Sequence, residues 1–245
     1  MRILALETSA TAGSVAALED DALLAQLRLD PALRSAKSLA PALAELLLQV
    51  GWQSTAVELV AVTSGPGSFT GLRIGVTTAK AFAYAVGCQV VGVNTLEVIA
   101  AQATASNVTA AGGRVWSAID AERQQFFVAQ FGIDRGGQLN CLVETHLVEQ
   151  QTWLAGLQAG EVISGPGLAR TAQSLPPAVI VESQDHWQPL AETVGRLGYR
   201  AWLAGRRDTP LTLLPQYFRR TAAEEQWEKR GTRSAKRGTE GATAE

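Results

Sequence analysis

The chain has 245 residues, 47% hydrophobic and 18% charged, with 21 basic against 23 acidic side chains, enough to bury a full core in one large domain or two lobes and with no charge excess calling for nucleic acid or anionic lipid as a direct partner. Its two cysteines, Cys88 and Cys141, cannot build a disulfide framework and form no C-x-x-C pair, so a reducing, cytoplasmic compartment is expected. No apolar run approaches the roughly 20 residues of a membrane span, and MRILALETS reaches Glu7 without the apolar core of a signal peptide.

In chain order, Arg2 to Leu6 reads as a strand running into Glu7-Thr8-Ser9. A second strand, Ser14 to Leu18, follows Gly13, giving a hairpin with hydroxyl and carboxylate groups at its turn. Ala22 to Leu29 continues the meander, Pro31 interrupts it, and a helix from about Ser35 carries Leu39, Leu43, Leu46 and Leu47 on one face before Gly51 ends it.

The next stretch organises the rest. Leu59 to Thr63 is a buried strand stopped by Ser64-Gly65-Pro66-Gly67, where a fixed proline φ between two permissive glycines forces a turn. Ser68 or Thr70 then caps a helix in which Gly71, Gly75, Ala79 and Ala83 form a stripe without bulk. Glycine inside a helix costs about 1 kcal/mol against alanine, so the stripe needs a reason. It permits either tight packing within the subunit or close approach of a helix from another one. Arg73, one turn into the helix, gains nothing from the helix dipole and is expected to pair with a carboxylate across an interface.

A strand from Cys88 to Val93 leads to a helix from Thr95 to Ala103, and the small polar run 104–113 marks a boundary. After it the plan restarts. Arg114 to Ile119 runs into Asp120, a strand from Gln125 to Phe131 follows, and Ser164-Gly165-Pro166-Gly167 repeats residues 64–67 with a helix expected over Leu168 to Ser174. These repeats indicate an internal duplication of a β-meander plus βα unit. The expected divisions are a first lobe over 1–103 completed by a helix near 190–204, a second lobe over 104–187, a C-terminal segment over 205–228 and a tail over 229–245. From Lys229 onward five basic and two acidic residues leave +3 on the tail and −5 on the rest. With no large apolar side chain, the tail is expected to be disordered, either simply solvated or a basic arm touching nucleic-acid phosphates.

Two lobes with an acid on each first hairpin and a glycine turn at a strand end follow the actin-like, sugar-kinase type of ATPase plan, in which a phosphate lies against groups such as Thr8, Ser9 and Ser14. No G-x-x-x-x-G-K-[ST] loop and no G-x-G-x-x-G follows a strand. Glu7 is open to two readings: a vestigial nucleotide site with Thr8, Ser9 and Ser14, or a carboxylate accepting N–H bonds from its own turn. His146 and His186 stand apart from each other and from both cysteines, so no metal site is assembled locally.

ILALETSATAGSVAAL, SGPGSFTGLRIGVTTAKAFA, VVGVNTLEVIAAQA and AIDAERQQFFVAQF, in this order, with PQYFRR at 215–220, resemble the TsaB (YeaZ) family; GPGSFTG-x-R-x-G is the specific part. The resemblance implies an actin-like two-lobed α/β fold shared with the catalytic TsaD (glycoprotease) type. It also implies an accessory, non-catalytic subunit in threonylcarbamoyl modification of adenosine in the tRNA anticodon loop. The implied partners are a TsaD-type catalytic subunit, docked through a surface comprising Gly71, Arg73, Gly75, Ala79 and Ala83, and a TsaE-type ATPase. tRNA would be met mostly indirectly, and a homodimer is open. No cofactor is implied beyond a nucleotide at the complex interface, for which no motif stands here. The catalytic type carries an H-x-x-x-H metal pair where this chain has Thr95 and Ile99. The alternative function is a stand-alone ATPase or peptidase of the same superfamily.

Overall fold

The computed structural model describes residues 1–30, 35–105, 113–134, 138–171 and 174–219; the tail at 229–245 lies outside the described residues. Strands β1 (Arg2–Glu7), β2 (Ser14–Glu19) and β3 (Ala22–Arg28) form the first meander, followed by α1 (Ser35–Gln49), β4 (Leu59–Gly65), α2 (Phe69–Val86), β5 (Gln89–Asn94) and α3 (Thr95–Ala105). The second meander is β6 (Arg114–Asp120), β7 (Gln125–Ile133) and β8 (Leu139–Glu149), followed by α4 (Gln150–Gly156), β9 (Val162–Ser164), β10 (Ile180–Val181) and α5 (Ala191–Leu203).

The two five-stranded sheets have the orders β3-β2-β1-β4-β5 and β8-β7-β6-β9-β10. Within each, the meander pairs are antiparallel and the next two strands add in parallel on the far side of the first strand. The duplication in the sequence is thus a duplication of topology, and the chain has a two-lobed α/β fold on the actin-like plan. The glycine turns repeat as well. A β-carbon on Gly67 would stand 2.6 Å from the Ser9 carbonyl oxygen, and one on Gly167 would stand 2.9 Å from the Asp120 nitrogen. Each SGPG turn therefore rests on the turn that follows the first strand of its own lobe.

Alternating β1 side chains divide the first lobe's core. Leu4 and Leu6 face α1 and α2, with Leu39, Leu43, Val76 and Ala79, while Ile3 and Ala5 face α5, with Val194 and Leu197. Helix α5 returns to this lobe through hydrogen bonds at its start: Ala191 N donates to Ser14 Oγ at 2.9 Å and Glu192 N to Gln26 Oε1 at 2.8 Å, which satisfies orphan donors of its first turn. Buried Gln102 of α3 holds the approach, its amide donating to the Gln188 carbonyl at 2.7 Å and accepting Leu190 N at 2.9 Å.

Two differences from the sequence reading have physical causes. Helix α3, counted by chain order with the first lobe, gives Leu96, Ile99, Ala100 and Ala103 to the second sheet beside Val115 and Phe131, while Val98 faces the first. It is the shared layer between the lobes. The helix expected over Leu168 to Ser174 is a short 3-10 turn, Pro166–Arg170. Its N-cap is a glycine with no side-chain cap, and Pro176-Pro177 forbids helical continuation soon after.

Helix α2 begins at Ser68, whose Oγ accepts Gly71 N at 3.2 Å, and ends at Gly87 in the left-handed conformation, φ 80°. Between these caps the small-residue stripe faces inward. β-Carbons on Gly71 and Gly75 would collide with the Thr8 carbonyl oxygen and the Thr8 hydroxyl, respectively, and Ala79 and Ala83 lie in the first-lobe core. The expected use of Gly71, Gly75, Ala79 and Ala83 as a subunit-facing stripe is therefore corrected, because they form the seat of α2 on β1. Gly71→Ala drives a methyl into backbone, and overpacking of this kind costs about 1–3 kcal/mol. We expect thermal melting to show Gly71→Ala lowered by several degrees, about 2–4 °C per kcal/mol in a chain of this size, whereas Ala85→Ser on the exposed face of α2 melts like the parent.

Candidate functional site

A cleft of about 720 Å³ lies between the lobes, within the size range of small-molecule sites. The first lobe contributes the turn Ser9–Thr11 and the start of α2. The second contributes Asp120–Glu122 and Pro166, and Thr95 at the start of α3 and the segment Gln216–Arg219 complete the wall. That last segment crosses between the lobes. Gln216 N donates to the Ser64 carbonyl at 2.7 Å, and Tyr217 lies against Phe69 with ring centroids 5.0 Å apart. Phe218 then meets Phe127 of β7 at 6.3 Å, and the Arg219 guanidinium donates to Gln125 Oε1 at 2.6 Å.

Of the four residues grouped as a nucleotide site, Ser9 alone borders the cleft. Glu7 is fully buried, and its Oε1 accepts Ser9 N at 2.6 Å and the Ser9 hydroxyl. Thr8 turns its side chain toward Gly75, and the Ser14 hydroxyl receives the first N–H of α5. In the second lobe Asp120 is bridged to Arg170 at 3.2 Å and accepts Glu122 N at 2.8 Å. A metal-bound nucleotide of the kind the fold class implies needs the first lobe's hairpin carboxylate to face the cleft, and Glu7, wholly buried and outside the lining, does not fit that role. The Glu7–Thr8–Ser9–Ser14 grouping is corrected: Glu7 accepts bonds from its own turn, and Thr8 and Ser14 hold α2 and α5 in place.

The other candidates are dispersed. Ile99 is wholly buried in the core between α3 and the second sheet, and Thr95 is buried beside the cleft with its hydroxyl unpartnered among the described residues. His146 Nδ1 lies 2.8 Å from the Glu144 carbonyl and His186 Nδ1 lies 3.0 Å from Glu182 Oε1; neither borders the cleft. Arg73 differs from its expectation too. Its Nε donates to the Tyr217 hydroxyl at 2.9 Å and its guanidinium carbon sits 3.8 Å from the centroid of the Phe69 ring, so an aromatic pair replaces the expected carboxylate. Sequence reading missed Tyr217 and Phe218 as wall residues, although PQYFRR carried two adjacent aromatics in a polar ending that needed a partner surface.

Burial raises the Glu7 carboxyl from its ordinary 4.5 to about 7, against the lowering effect of the Ser9 bonds. Between these two values the folded chain holds a proton that the unfolded chain has released, so stability is fullest below 4.5 and falls as pH rises through 7. At about 1.4 kcal/mol per pKa unit the loss is on the order of 3 kcal/mol, roughly 5–10 °C of melting temperature. We expect Glu7→Gln to flatten the melting profile between pH 5 and pH 8 relative to the parent; parallel profiles would show that Glu7 does not titrate there.

Comparison with known proteins places this geometry. The family model of TsaD, tRNA N6-adenosine threonylcarbamoyltransferase, matches residues 32–163. The tRNA threonylcarbamoyladenosine biosynthesis protein TsaB of Escherichia coli (strain K12) is 35% identical over 137 residues, 56% of this chain and 58% of that protein. TsaB of Bacillus subtilis (strain 168) is 30% identical over 162 residues, 64% of this chain and 66% of that protein. The chain thus spans less than two thirds of the length of these curated relatives. Among solved structures, YeaZ from Pseudomonas aeruginosa superposes with a TM-score of 0.76 at 26% identity, covering 88% of this chain and 99% of that one. The chain belongs to the TsaD family, whose model is described as tRNA N6-adenosine threonylcarbamoyltransferase, and it is similar to the TsaB and YeaZ proteins.

Proposed function

We propose that the protein is an accessory subunit of tRNA threonylcarbamoyladenosine biosynthesis that docks on a TsaD-type catalytic subunit and enables its turnover without adding a catalytic group. The observation that carries this reading is the state of Glu7: the first-hairpin acid is engaged by Ser9 and turned away from the cleft, in a chain whose relatives bear the name of that pathway. A TsaE-type ATPase is a further member of the assembly in this reading, and tRNA is met through the catalytic partner.

The docking surface in this proposal is the outer face of α2, opposite the glycine seat. Phe69, Arg73, Thr77 and Tyr84 are exposed along it, with Tyr84 at 81% and Phe69 at 46%. Exposed aromatic side chains beside an arginine match the composition of interface cores.

Reconstitution tests the proposal. Modified adenosine should form on tRNA when the chain is combined with the catalytic subunit and the remaining pathway proteins, and not when the chain is omitted. The chain alone should hydrolyse neither ATP nor peptide esters above background; activity of the chain alone, or full modification without it, would overturn the reading. Thr77→Trp, a bulky block in the middle of the outer face, should abolish pull-down of the catalytic subunit while melting like the parent.

A further inference from the structure

Arg73 is held in a way that its place on an exposed helix face does not require. Its Nε donates to the Tyr217 hydroxyl at 2.9 Å, and its guanidinium carbon lies 3.8 Å from the centroid of the Phe69 ring and 5.8 Å from that of Tyr217. The two rings are themselves 5.0 Å apart. One nitrogen and one face of the guanidinium are thereby fixed, on a residue that is itself exposed. Among the described residues no carboxylate lies within ion-pair distance of the guanidinium.

An exposed arginine ordinarily samples many rotamers, and ordering it on binding costs conformational entropy. Here the aromatic clamp has already ordered the side chain, so an incoming acceptor meets a fixed fork. With Nε engaged, the edge formed by the two terminal nitrogens is the planar fork that suits the two oxygens of a carboxylate. Its surroundings ask for cover as well, since Phe69 and Tyr217 are 46% and 45% exposed. Buried arginine and aromatic side chains are the groups that dominate interface energies.

Resting on the docking role proposed above, we infer that Arg73, clamped by Phe69 and Tyr217, is the anchor of that surface and receives a carboxylate side chain of the catalytic partner. The anchor then depends on the C-terminal segment, because Tyr217 belongs to the strap that runs on through Phe218 and Arg219 to the second lobe. The charge of the helix selects the occupant. Helix α2 carries Arg73 and Lys80 and no acidic residue, so laying α2 of a second copy along it would oppose like charges, whereas a carboxylate-bearing partner complements both cations.

Calorimetric titration of the full chain with the catalytic subunit of the same organism, at low and high salt, tests this. Arg73→Gln should weaken binding about tenfold or more and reduce its salt dependence, with unchanged melting. Arg73→Lys should restore the salt dependence but not the affinity, because an ammonium neither forks nor stacks in the same way. Tyr217→Phe, which removes only the hydroxyl that holds Nε, should weaken binding about threefold. If Thr77→Trp abolishes binding while Arg73→Gln stays within about twofold of the parent, the docking surface stands and the anchor is overturned. If neither matters, both ideas fall. A lowered melting temperature in Arg73→Gln would assign the residue to the fold. Loss of self-association with retained partner binding would make a second copy the occupant and overturn the assignment.

Discussion

Helix α2 can lie across the end of β1 only because Gly71 and Gly75 leave no side chain where Thr8 stands. Much of the molecule's functional geometry descends from that contact. It sets the depth of α2 against the first sheet, so that Leu72 and Val76 are buried and Phe69, Arg73 and Tyr84 point outward. It also places the capped start of α2 at the cleft, next to the turn carrying Ser9, whose carbonyl accepts Ser68 N at 2.8 Å. A helix with bulk on its inner face would stand off from β1 and break both relations. The outer face is the one left for the proposed docking, because the inner face is fully occupied.

The same economy of groups runs through the first hairpin. Glu7, Thr8 and Ser14 sit at positions where the fold class can hold a nucleotide, yet here all three are buried within the protein. Glu7 binds its own turn, Thr8 underlies α2 and Ser14 satisfies the start of α5. A carboxylate buried in this way is costly when charged, which is why its proton affinity rises toward neutrality. The hairpin has the character of a structural keystone, and the docking proposed above falls on the far side of α2.

The duplicated plan was legible because its signals are local. Strand runs, the hairpin acids and the SGPG turns recur in the same order in both halves, and the structure repeats them as two sheets of one topology. The stripe on α2 was legible as a close contact, but residues on one helix do not reveal what lies opposite, and the occupant was Thr8. Strand β8 escaped notice because it is an edge strand whose side chains are exposed or half-buried along its length, which weakens the apolar alternation that marks a strand. The Arg73–Tyr217 clamp joins residues 144 apart in the chain, and nothing short of the fold brings them together.

Side-chain footprinting by hydroxyl radicals, on the chain alone and with the catalytic subunit added, tests docking through α2 most directly, since aromatic rings report their own solvent exposure. Protection of Phe69, Tyr84 and Tyr217, with Trp52 on the α1 side of the first lobe unchanged, is the expected result. Unaltered modification of those three rings in a complex shown to have formed would contradict it.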